Sequence, residues 1–154
     1  MEKEYFYNLY NKIVVELNVQ FNLYSVEVIE YKAHEDENSK LFRCEAIIRL
    51  KTNFKYLSLW MRNSTSANKP FSIIIAIGDN NSDYSISLTD YIKFRNIEFD
   101  ENLLFRHLIE FEDAIEVSKQ LFKRLKELIE TEELQKLLYT DYQIEVPRDY
   151  SPYK

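Results

Sequence analysis

The chain has few of the residues that common cofactor and metal sites require. Its 154 residues include one glycine, one cysteine and three prolines. A single glycine argues against a Walker phosphate loop and a dinucleotide-binding fingerprint, because each needs several glycines. A single cysteine, Cys44, excludes an internal disulfide framework and a cysteine-cluster zinc site. The chain also contains no G-x-S-x-G elbow. We therefore expect a protein that is not an enzyme and that holds no cofactor.

Long apolar runs are also missing. No run approaches the roughly 20 residues that a membrane-spanning helix needs. The N-terminal stretch "MEKEYFYNLYNK" mixes acidic, basic and polar residues and is unlike a secretory signal peptide. We expect a cytoplasmic protein without membrane contacts.

The charge is acidic and unevenly distributed. Twenty basic and 26 acidic residues give a formal net charge of −6, and the window 98–116 has seven acidic residues against one basic residue, Arg106. Acidic surfaces repel phosphate backbones, which argues against nucleic acid and favours a basic protein partner. A solvated helix start is the alternative for part of the window. The acidic candidates for partner binding are Glu98, Asp100, Glu101, Glu110, Glu112, Asp113 and Glu116.

Aromatic residues supply the second indication of an interface. The chain has twelve tyrosines and one tryptophan, Trp60, too many to be all in a core. In the segment 54–62, Tyr56 and Trp60 alternate with aliphatic residues, which predicts a strand with an aromatic outer face. Tyrosine and tryptophan are enriched in protein interfaces, so both join the candidate partner-binding residues.

The first two thirds of the chain predict one helix followed by a meander of strands. Apolar residues recur at spacings of three and four over 3–18, which indicates a helix that covers a sheet. Alternation is clearest in 41–51, where Cys44 lies on the apolar side. A nearly continuous β-branched run at 71–77 indicates a strand covered on both faces. The five predicted strands span 24–33, 41–51, 54–62, 71–77 and 84–88.

The last third predicts helices and a tail. The stretch "LLFRHLIEF" (103–111) fits either a helix or a sixth strand, and we favour the helix. From Glu112 the apolar residues follow a 3.6-residue period, and Thr131 is placed to cap a short helix that ends near Leu138. Residues 139–154 predict a tail that wraps over the surface.

One loop has the ligand pattern of a calcium site. In "GDNNSDYSISLTD" the side chains of Asp79, Asn81 and Asp83 occupy alternate positions, as in an EF-hand loop. Tyr84 replaces the glycine that such a loop needs for its sharp turn, and the preceding segment predicts a strand instead of a helix. We therefore interpret the loop as a β-hairpin turn, in which Gly78 is one of the residues that tolerate a positive φ, and we keep Asp79, Asn81 and Asp83 as a weak metal candidate.

Together these patterns predict a single α+β domain over 1–154. An N-terminal helix precedes a mostly antiparallel sheet of about five strands, and C-terminal helices pack on one sheet face. Size, acidity and element order resemble those of bacterial immunity proteins and antitoxins at the level of architecture alone. The leading hypothesis is a non-enzymatic domain that occludes a basic protein, such as a toxin, through an acidic and aromatic surface. The alternatives are a small-molecule-binding or enzymatic domain with a cavity between sheet and helices, and a subunit that forms a homodimer.

Overall fold

The protein is an α+β fold of four helices and a six-stranded sheet within the residues that the structure describes. A computed structural model describes residues 3–29, 43–63, 71–82, 84–98, 107–108 and 111–141. The elements are α1 (Lys3–Gln20), β1 (Ser25–Ile29), β2 (Arg43–Arg49), β3 (Lys55–Asn63), β4 (Phe71–Asp79), β5 (Ser85–Ser87), α2 (Leu88–Phe94), β6 (His107–Leu108), α3 (Phe111–Ile129) and α4 (Glu132–Leu138). This order confirms the predicted fold class. No helix within these ranges has the length and hydropathy of a membrane-spanning segment.

The sheet is an antiparallel meander in which β5 and β6 both pair with β4. Strands β1 to β5 pair in sequence order, and β6 also pairs with β4. The first residues of β4, Phe71 and Ser72, pair with β6, whereas Ala76, Ile77 and Gly78 pair with β5. Our preference for a helix over 103–111 was therefore wrong at His107–Leu108, which form the sixth strand. This short strand satisfies backbone groups of β4 that β5 does not reach.

One face of the sheet forms the hydrophobic core with the helices. Alternate residues of β2, β3 and β4 face this inner side and are buried: Cys44, Ala46 and Ile48, then Leu57, Leu59 and Met61, then Ile73, Ile75 and Ile77. They belong to the same cluster as buried side chains of all four helices. Because side chains alternate along a strand, the intervening residues point to the opposite, outer side.

Helices α1 and α3 supply most of the cover for the inner face. On α1 the predicted apolar stripe is fully buried, as Phe6, Leu9 and Ile13 illustrate. On α3 the buried residues recur with helical spacing, with Phe122 and Leu125 at its centre. The 3.6-residue periodicity thus predicted both helices, and each extends one or two residues beyond its predicted bounds.

Helix α2 was not predicted, although its start carries a recognisable signal. Ser87 and Asp90 form the pattern S-x-x-D, and the Ser87 hydroxyl accepts a hydrogen bond from the Asp90 amide at 3.1 Å. At the other end, Asn96 adopts a positive φ of 58°, and the Ile97 amide donates to the Ile92 carbonyl at 3.0 Å. This left-handed residue closes the helix in the way that glycine often does.

Thr131 precedes α4 as predicted but does not cap it with its side chain. Its hydroxyl donates to the Leu128 carbonyl at 2.7 Å, and no side-chain cap bond is formed. The Leu128 carbonyl also accepts from the Thr131 amide at 3.0 Å, so the Thr131 side chain adds a second hydrogen bond at the end of α3 instead of capping the start of α4.

Strands β4 and β5 form a β-hairpin. The Asp79 amide donates to the Tyr84 carbonyl at 3.1 Å, and β4 and β5 are antiparallel neighbours, which confirms the interpretation of the loop between them. The expected role of Gly78 was wrong, because no glycine in the described residues has a positive φ. Gly78 lies within β4 opposite Tyr56, and a Cβ placed on it would lie 2.2 Å from Cζ of the tyrosine ring. Glycine is needed here because the ring occupies the space above the backbone.

We expect Gly78→Ala to destabilise the fold by about 1–2 kcal/mol, since the added methyl group displaces the Tyr56 ring. In a Tyr56→Ala background the same substitution is expected to be neutral or stabilising, because alanine suits a strand better than glycine. Urea unfolding of both single variants and the double variant measures this coupling. An equal cost in the two backgrounds would show that the ring is not the reason for the glycine.

Candidate functional site on the outer face of the sheet

The outer face of the sheet is the candidate site because it combines aromatic, aliphatic and charged side chains. It consists of Glu27 on β1, Glu45, Ile47 and Arg49 on β2, Tyr56, Ser58 and Trp60 on β3, and Ile74, Ala76 and Gly78 on β4. Trp60 is 39% exposed on the central strand, whereas Ile47 and Ser58 between the longer side chains are buried. Ile74 and Ala76 are half-buried. The expectation that 71–77 is covered on both faces is therefore confirmed on the inner side and only partly met on the outer side.

One row of side chains crosses four strands in continuous contact. The Tyr56 ring lies over Gly78, and the Arg49 guanidinium lies 5.6 Å from the centre of that ring. Arg49 Nε also lies 3.4 Å from a carboxylate oxygen of Glu27. A cation–π contact and an ion pair thus hold Tyr56 and Arg49 in place, each contributing modestly at an exposed site.

The next row places a carboxylate beside the tryptophan. Glu45 is the direct cross-strand neighbour of Trp60, and Ile74 is the neighbour of Trp60 on its other side. The Ser58 hydroxyl donates to Glu45 Oε1 at 3.2 Å and orients this carboxylate. Trp60 therefore lies on the central strand between an aliphatic and an acidic neighbour. This arrangement is suited to a contact with another protein.

The described acidic candidates lie elsewhere. Glu98 is exposed in the segment after α2, and Asp113 and Glu116 are exposed on the first turns of α3. Because α3 packs on the inner face, Asp113 and Glu116 lie on the opposite side of the sheet from Tyr56 and Trp60. The remaining candidates Asp100, Glu101 and Glu110 lie outside the described residues, as does the side chain of Glu112.

In the weak metal candidate, the Asp79 side chain takes part in a hydrogen bond of the hairpin turn. Asp79 Oδ1 accepts from the Asn81 amide at 2.8 Å, a contact that shapes the hairpin turn. A strand precedes the loop, so the entering helix of an EF-hand is absent here. Asp83 lies outside the described residues. Within the described ranges, no three His, Cys, Asp or Glu side chains are grouped so that they could hold a metal ion.

The surroundings of Cys44, His107 and Tyr139 indicate structural roles. Cys44 is buried in the core, as its place on the apolar side of the strand predicted, and burial raises the pKa of its thiol to about 12. His107 lies in the short strand β6, where it pairs with Ser72 of β4. Burial, with the neighbouring Tyr24, also raises the pKa of Tyr139.

A surface groove lies between α2 and α4 and not between the sheet and the helices. Its volume is about 500 Å³, and its lining includes Tyr91, Arg95, Glu133 and Lys136. Arg95 Nε and Glu133 Oε1 form an exposed ion pair of 3.0 Å across it. Two of the four charged residues in the lining are thus paired with each other in solvent, in contrast to the convergent buried groups of typical ligand sites.

Comparison of the chain with family models, with curated proteins and with solved structures found no match. The functional argument therefore uses the residues of the chain itself. Strand alternation correctly predicted that Tyr56 and Trp60 lie on an outer face. It could not predict that Glu45 and Arg49 are their neighbours, because that depends on the register between β2 and β3.

We expect Cys44 to resist thiol reagents in the native protein, because the thiolate is the reactive form and burial disfavours it. An aromatic disulfide reagent at pH 8 should modify the thiol rapidly only after unfolding in urea. Rapid modification under native conditions, without loss of the far-ultraviolet circular dichroism, would contradict this assignment.

The same pKa shift also predicts a pH dependence. The folded-state pKa lies above the unfolded value of about 8.5, so the free energy of unfolding should decrease as the pH rises above 8.5. Tyr139 acts in the same direction only above about pH 10, so the interval from 8.5 to 10 isolates the thiol. The Cys44→Ala variant should lack this decrease.

Proposed function

We propose that the chain is a non-enzymatic protein-binding domain, an inhibitor of the immunity-protein or antitoxin type that occludes a basic partner such as a toxin. The observation that carries this proposal is the exposed Trp60 on the outer face of the sheet. Tryptophans of this kind dominate binding energies at interfaces, since they offer a large contact area at a low cost in conformational entropy.

The surroundings of Trp60 support a protein contact. Tyr56 and Arg49 are held by their stacked row, so the partner meets a surface that is ordered before it binds. Such preordering lowers the entropic cost of association. Three neighbouring strands present an acidic, an aromatic and an aliphatic side chain side by side, namely Glu45, Trp60 and Ile74. This combination matches the mixed chemistry of a standard interface.

The acidic residues have a separate role in this proposal. A net charge of −6 attracts a basic protein during approach, before the surfaces meet. Because Asp113 and Glu116 lie across the sheet from Trp60, they steer the partner without forming the contact. Steering of this kind acts on the association rate, whereas the buried contact controls dissociation.

The alternative of a small-molecule site has less support. The groove between α2 and α4 is within the usual size range of ligand pockets, but its charged residues are exposed, and Arg95 and Glu133 are paired with each other. The outer face of the sheet thus remains the stronger candidate.

We expect Trp60→Ala to weaken binding to the physiological partner by about 30-fold or more, as truncation of a central interface tryptophan does. The partner is first identified by affinity capture from the source cells, and its dissociation constant is then measured by calorimetry. Phe94→Ala is the matched control, because Phe94 is similarly exposed, 37% against 39%, but lies on α2. Equal weakening in the two variants, or none in Trp60→Ala, would contradict the proposed contact.

We expect the double variant Asp113→Asn, Glu116→Gln to slow association several-fold at low salt and to leave the dissociation rate unchanged. The difference from the natural protein should vanish near 0.5 M salt, where screening removes long-range attraction. Stopped-flow measurements with the identified partner give both rates. A change in the dissociation rate alone would place these carboxylates in the contact and contradict the steering role.

A further inference from the structure

We draw no further inference here: the strongest candidate, the surface patch of exposed aliphatic side chains that Val15 and Val19 form on α1, carries nothing because nothing in the part of the chain that the structure describes shows what covers it.

Discussion

The packing of α1 and α3 against the inner face of the sheet is the interaction on which the rest of the structure depends. Large side chains such as Phe6, Leu17 and Phe122 are fully buried there, and each contributes about 1.5–3 kcal/mol relative to exposure. Since all four described helices share this one core, none of them covers the outer face of the sheet. The proposed function concerns this face.

Patterns that are local in sequence predicted the parts of the fold that are local in structure. Alternation identified β2 and β3, and the helical period identified α1 and α3, because each repeat reports directly on one buried side. The failures depend on distant partners. His107–Leu108 is a strand only because β4 has an open edge beside it. Lys55 is buried on the core side because its ammonium donates to the Thr140 carbonyl, 85 residues away, at 3.0 Å.

Two members of the candidate site, Tyr56 and Trp60, were predictable, but its other members and its arrangement were not. The outward positions of Tyr56 and Trp60 followed from strand alternation, yet the row from Gly78 through Tyr56 to Arg49 depends on a register across three strands. The only glycine was assigned to a turn because composition alone associates glycine with positive φ. Its actual role, to leave space for a neighbouring ring, depends on a residue 22 positions earlier in the chain.

In the proposed function, charge and contact act at different steps of binding, because the acidic residues at the start of α3 and Trp60 lie on opposite sides of the sheet. Substitutions of Asp113 and Glu116 would then change the association rate, whereas substitutions around Trp60 would change the dissociation rate. Because the two described sets of residues are distant and share no contacts, their effects on the binding free energy should be close to additive.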